Sequence, residues 1–486
     1  MSLLKSLAAA LALLAAAPAA AQAQPWDPQP WLEDLARIRD VLHARYANLE
    51  WLQGERELDL DGMFQRAERA VRAAGSDAGA TAVFNRVMER IGDGHVGLDW
   101  PRPAPPASAA AAPAAPPPPP SAESLCRSIG YDGPASPGVA PALPGYAPLP
   151  GGDVLPAGTA TVGGVRMGFL RIAIFMPQGS PSLCAAAVAA LQIPVDRPCD
   201  EECRNRIVTH AYRGLGEAMM DRLARLKAAG AQVLVVDVTG NGGGSEWTEA
   251  AARMLSRRPL QSAKISFVRG EHWAGIWQRV IDQLRSHRER AAGEERRQLD
   301  LYIGEAERAR AEAARNCGGG SDCPRLAEGG YATGLVGRAP AGAFAGKDWA
   351  VWVFNPAQHT YRDGAWDGPA IVLTDQNTAS AAEQFAAILQ DNRAAVILGA
   401  RTAGAGCGHS WGGTPTRLTH SGATLRIPDC VRHRADGSNE VRGILPDLPI
   451  PWRANDGSAF RARLLEAALP GAARRAQALY RSRGRR

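Results

Sequence analysis

Two hydrophobic rhythms divide this chain. Trp31, Leu35, Ile38 and Leu42 recur at helical spacing, and residues 63–71 and 83–91 continue the pattern, which predicts a small helical unit over 24–100. Farther on, short continuous apolar runs bounded by turn formers take over. Residues 168–175 predict a strand, 211–229 an amphipathic helix leading into a second strand at 233–238, and 370–373 and 395–398 two more. Strands alternating with helices imply an α/β core of layered type, here over 123–455. Within it Trp273, Trp277, Ile281 and Leu284 make an apolar stripe followed by the charge-rich 285–315. The segment 271–316 is therefore expected to be an inserted helical hairpin packed by its tryptophan face, or a lid over a site.

Candidate chemistry gathers where the apolar runs break. After the run 370–373 the turn formers Asp375 and Asn377 precede Ser380, and Phe385, Ile388 and Leu389 then mark one face of a helix. A serine at such a strand-to-helix junction stands beside unpaired backbone N–H groups at the positive end of a helix, a position that suits a nucleophile. Ser380 and Glu383 also spell a helix capping box, which is the structural alternative. The run 233–238 ends in Asn241-Gly242-Gly243-Gly244. Glycines there let backbone approach a ligand, and no Gly-Lys-Ser/Thr follows to make a phosphate loop.

These blocks resemble the C-terminal processing (tail-specific) peptidases. Residues 233–244 resemble that family's strand and Asp-Leu-Arg-x-Asn-x-Gly-Gly turn. Ser380 to Glu383, with Gln390-Asp391-Asn392 closing the helix, resembles its nucleophile segment, and 440–447 its Glu-x-x-Gly-Val-x-Pro-Asp signature. The resemblance spans 164–451 and implies a crotonase-like core around a catalytic serine. The family's lysine base belongs in the turn 402–406, where this chain has Ala405, so a Ser–Lys dyad is excluded on this alignment. A second branch, which includes the tricorn core and the interphotoreceptor retinoid-binding protein, resembles this chain in its Thr-Ala-Gly turn, and the tricorn core takes its base from a histidine in the N-terminal helical region. The segment 91–96 resembles that element and offers His95. By this resemblance Ser380 is the nucleophile, His95 the base and Glu440 its orienting carboxylate, reached directly or through a bridging hydroxyl or water. The N–H groups of Gly243 and Ala381 form the oxyanion hole, with Glu383 and Asn241 in support. Histidine suits the role because its imidazole ordinarily titrates near pH 6.5. The family's PDZ domain is expected to be missing, since only 122–163 separates linker from core. The retinoid-binding relative also illustrates an alternative, a catalytically inactive protein binding peptides or hydrophobic ligands on the same fold.

Composition then sets the compartment. The 486 residues, 45% hydrophobic and 21% charged, suit a globular protein of two or three domains. Residues 1–23 have the charged start, apolar core and Ala21-Gln22-Ala23 box of a signal peptide, so a periplasmic or secreted protein without an integral membrane segment is expected. Residues 101–122, almost wholly Ala and Pro, read as an extended linker. Eight cysteines in an exported chain point to disulfides, and proximity along the chain pairs Cys126 with Cys184, Cys199 with Cys203, Cys317 with Cys323 and Cys407 with Cys430. Cys407, His409, Cys430 and His433 leave zinc as the alternative. No cofactor or metal is otherwise expected. The formal charge of +6 comes largely from an arginine-rich end, and 456–486 is expected to be a solvated basic tail. Peptide or protein is the expected partner, nucleic acid is not, and the oligomeric state is left open.

Overall fold

The computed structural model describes residues 26–102, 120–132, 136–315, 317, 323–453 and 455–484. The expected signal peptide, and most of the expected linker, lie outside the described residues. The expected α/β core is built on a seven-stranded sheet. Its main strands are β1 (Ala157–Val162), β2 (Val165–Arg171), β3 (Val233–Asp237), β4 (Ala370–Thr374) and β5 (Val396–Gly399). The order is Leu448–Pro449, β5, β4, β3, β2, β1, Ala147–Pro148. Pairing is parallel from Leu448–Pro449 through β2 and antiparallel beyond it.

The parallel strands are mostly apolar in their middles, as suits strands with both faces covered. Alternate residues of β3 point opposite ways. Leu234 and Val236 join Leu215, Met219 and Leu223 of the long helix Glu201–Ala228 and Phe385 of the helix that follows Ser380. Val233 and Val235 face the other layer, which is the C-terminal helix Ser458–Gly484 through Leu465, Leu469, Ala472, Ala473 and Ala476. The expected solvated tail is therefore corrected: Arg463, Arg474, Arg475 and Arg481 lie on the outer side of an amphipathic helix whose small and branched residues cover the sheet. Arg461 anchors that helix to the buried Asp375 at 2.7 Å. Gly163, with φ +57°, leaves room for Pro470 in the middle of it.

The N-terminal helices α1 (Gln29–Arg45), α2 (Leu60–Arg72) and α3 (Asp77–Ile91) form their own apolar cluster, as expected. They do not close it alone. Leu418, Ala423, Leu425 and Ile427 complete the cluster, and strand Gly97–Asp99 pairs antiparallel with Thr424–Arg426. A hairpin from late in the chain thus belongs to the helical unit, which corrects the assignment of all of 123–455 to one core. A third sheet, Cys430–His433, Lys264–Val268 and Leu326–Tyr331, is antiparallel. From it the insertion rises as a hairpin of Glu271–Arg290 and Gly293–Ala314. Trp273, Trp277, Ile281 and Leu284 are buried against the sheet, and the charged residues face out. No PDZ-like unit occurs among the described residues; the stretch after the linker forms short elements and the antiparallel edge of the central sheet.

All four cysteine pairs inferred from proximity are disulfides. The Cys407–Cys430 bond excludes the zinc alternative, because both thiols are consumed.

Candidate active site

Ser380 stands at the mouth of the helix Ala381–Asp391 in a backbone conformation rare for a side-chain-bearing residue, φ +54° and ψ −118°. Such a conformation costs on the order of 1–3 kcal/mol and persists only where the surroundings enforce it. Glu383 does so, and its burial explains how. Its Oε2 accepts from the N–H groups of Ser380 at 2.9 Å and Ala405 at 2.8 Å, and its Oε1 accepts from the Thr402 hydroxyl and the Gly404 N–H, both at 2.6 Å. The capping box is therefore present and extended, since one carboxylate ties the serine turn to the 402–405 turn. Burial pushes the Glu383 carboxyl up; the Thr402 hydroxyl opposes this, while nearby Glu440 adds to it.

His95 reaches the serine from the other end of the chain. Gly92 ends α3 in the left-handed conformation at φ +65°, and the buried Asp93 pins the next residues. The Asp93 carboxylate accepts from the Tyr46 hydroxyl at 2.8 Å, Asn48 Nδ2 at 2.9 Å and the His95 N–H at 2.9 Å. Burial is also the main cause raising the Asp93 carboxyl above its usual range. His95 Nε2 lies 3.2 Å from Ser380 Oγ, and its Nδ1 lies 2.8 Å from the carbonyl oxygen of Ala405. A carbonyl only accepts, so Nδ1 carries the hydrogen and Nε2 presents its lone pair to the serine. The residue standing where the family places lysine thus orients the imidazole through its backbone.

Glu440 is not at the imidazole. Its two oxygens bind Arg432, at 2.9 Å to Nε and 2.6 Å to Nη2, in a buried ion pair. The expected carboxylate–histidine contact is corrected for that reason: both Glu440 oxygens are held by the guanidinium, and His95 Nδ1 is held by Ala405. Arg432 in turn donates to the carbonyls of Ser380 at 3.3 Å and Gly406 at 2.7 Å. Nothing in the local pattern of residues around Arg432 marks it as part of a site, whereas Asp93 sits inside the Gly-Asp-Gly-His segment and was open to notice.

The glycine turn packs directly under Ser380, since a Cβ on Gly243 would meet Ser380 Cβ at 2.7 Å and Ala381 N at 3.1 Å. Asn241 is wholly buried and braces the turn, with Nδ2 on the Ile172 carbonyl at 2.9 Å and its own carbonyl accepting from Ala379 at 2.9 Å. Asn241 Oδ1 also accepts the Gly243 N–H at 2.8 Å, which corrects Gly243 as an oxyanion donor because its hydrogen is already used. Gly244 follows at φ +140°. Phe175 directs its N–H and carbonyl to Gly243 and Ser245, so the Gly244 N–H faces the opposite way. Ala381 opens the helix, and its N–H has no intrahelical acceptor. Gly244, Ala381, Ser380 and His95 line one cavity of about 400 Å³. His409 also lines it and contacts the His95 carbonyl at 3.0 Å; burial, and then His95, hold its imidazole below the usual range.

Residues 209–450 match the family model described as Peptidase family S41. The chain belongs to the C-terminal processing peptidase superfamily. Among solved structures it is similar to mature CPAF, at 16% identity and a TM-score of 0.59, over 91% of this chain and 96% of that one. It is also similar to mature CPAF complexed with lactacystin, at 15% identity and 0.56, over 92% and 99%. At such identities the likeness concerns the fold of this C-terminal processing peptidase relative. No curated protein matches the chain. Family membership makes it a serine peptidase in general terms, with peptide or protein as substrate. No helix among the described residues is long and apolar enough to cross a membrane.

Proposed function

We propose that this chain is an exported peptidase that hydrolyses peptide bonds through an acyl-enzyme on Ser380, with His95 as general base. One observation carries the reading: His95 Nε2 stands 3.2 Å from Ser380 Oγ while the Ala405 carbonyl fixes the other ring nitrogen as a donor. The Ser380 oxygen attacks the scissile carbonyl as its proton passes to His95 Nε2, and the imidazolium returns that proton to the departing amine. Water then repeats the sequence on the ester and frees Ser380. Ala381 N–H and, in place of Gly243, Gly244 N–H receive the charge that develops on the carbonyl oxygen. Glu383 and Asn241 act as positioning residues, and Glu440 does so through Arg432. Four disulfides support an oxidising compartment, hence a periplasmic or secreted protein.

Fluorophosphonate labelling tests this reading. The wild type is expected to label at Ser380, and Ser380→Ala and His95→Ala to lose labelling, with peptide hydrolysis falling by roughly 10⁴-fold or more. A folded wild type that takes no label at pH 6 to 9 would speak for the inactive ligand-binding alternative.

A further inference from the structure

Four large apolar side chains are exposed among the described residues, and one of them, Trp411, lines the cavity that holds Ser380 and His95. It is 62% exposed, so its indole gains little from burial. It also adopts a left-handed conformation, φ +51° and ψ +40°, which is unfavourable for a bulky residue. The loop that carries it is nevertheless held from several sides. Cys407 is bonded to Cys430, Ser410 N–H donates to Asp429 Oδ1 at 3.0 Å, and His272 Nε2 meets the Ser410 carbonyl at 2.8 Å. Just before Trp411 the loop crosses His95 so closely that a Cβ on Gly408 would lie 2.9 Å from His95 Nε2. The ring is held too, with the Arg279 guanidinium 4.6 Å from its centroid and Trp352 nearly parallel at 6.4 Å.

A strained, exposed and immobilised indole beside Ser380, touched by Arg279 and Trp352, gives the free protein little packing in return. We infer that Trp411 is a specificity-determining residue, the platform on which a large apolar or aromatic side chain of the substrate peptide rests next to the scissile bond. The inference rests on the peptidase reading above and names its substrate class. Aromatic pairs favour offset or edge-on contact, which the 62% exposed indole leaves room for, while Arg279 over the ring fixes its orientation.

The test uses binding, so that it does not depend on turnover. Immobilised full-length Ser380→Ala is incubated with an end-blocked hexapeptide library, and retained peptides are read by mass spectrometry. Peptides bearing Phe, Tyr, Trp or Leu are expected to be enriched roughly tenfold over those bearing Asp, Glu or Lys. The enrichment is expected to vanish in Ser380→Ala/Trp411→Ala and to survive in Ser380→Ala/Trp411→Phe, which keeps an aromatic ring. Equal retention of all classes, or enrichment unaffected by Trp411→Ala, overturns the proposal. Fluorophosphonate labelling of the wild type reports separately on the peptidase reading, so the two fail independently.

Discussion

Replacing Glu440 by glutamine separates a carboxylate that serves histidine from one that serves arginine. If Glu440 oriented His95, neutralising it would resemble the loss of the aspartate in a Ser–His–Asp triad, which costs roughly 10⁴-fold in kcat. Here both Glu440 oxygens engage Arg432, and the side chain is 1% exposed. Removing one partner of a buried pair costs about 3–5 kcal/mol of stability because the other charge stays buried. Glutamine keeps one acceptor and loses the charge, so the loss is expected in the lower part of that range. Once kcat is expressed per labelled active site, it is expected to stay within about tenfold of wild type, or 1.4 kcal/mol of disturbed positioning. The apparent pKa of the acid limb of kcat/KM is also expected to stay in place, since no carboxylate leaves the imidazole. Arg432→Met/Glu440→Leu is expected to be less destabilised than the sum of the singles. Urea melts and pH–rate profiles of the labelled variants check this. A 10⁴-fold fall in kcat with an unchanged melt, or a lowered acid limb, refutes the assignment of Glu440 to Arg432 alone.

Glu383→Gln leaves a single acceptor oxygen for four donors, so two buried donors are orphaned at about 1–3 kcal/mol each; a lowered melting temperature and weakened fluorophosphonate labelling are expected together. Cys407→Ser/Cys430→Ser opens a loop closed across 23 residues, worth about 3 kcal/mol. Peptide hydrolysis is expected to fall with it because that loop follows the Ala405 carbonyl, and dithiothreitol treatment of the wild type is expected to reproduce the loss. His359 is pulled down to about 4 by burial. Between pH 6.5 and 4 the unfolded chain binds a proton that the folded chain refuses, so stability falls as pH drops through that window, by roughly 3 kcal/mol at most. In His359→Phe the urea midpoints at pH 7 and pH 4.5 are expected to differ less than in the wild type; an unchanged difference refutes this.

Local patterns carried the sheet and the place of Ser380. The run 233–236 is apolar and covered on both faces, and Ser380 follows a strand with Glu383 one turn into the helix; both facts are local. What escaped depends on chain crossing chain. Thr424–Arg426 is only three residues long, too short for a period, and its partners Gly97–Asp99 lie far upstream. The C-terminal helix does carry Leu465, Leu469, Ala472 and Ala476 at helical spacing, but its arginines and Pro470 mask that stripe. The group holding His95 is a main-chain carbonyl, which every residue possesses, so no side-chain pattern announces it. Glu440 was recognisable as a motif residue, yet its partner Arg432 is defined only by the third sheet.

His95 and Ser380 are separated by 285 positions along the chain. A ribosome therefore finishes the helical unit's own helices long before it makes Ser380, and the hairpin 416–427 that completes the cluster of that unit comes later still. Until residues 405–427 exist, neither the Ala405 carbonyl nor the hairpin is there to hold the histidine over the serine. On the proposed mechanism the nascent polypeptide is therefore expected to be inert through nearly all of its synthesis. Two separately expressed fragments, split within 103–119, should each be silent and should recover reactivity only on reassociation.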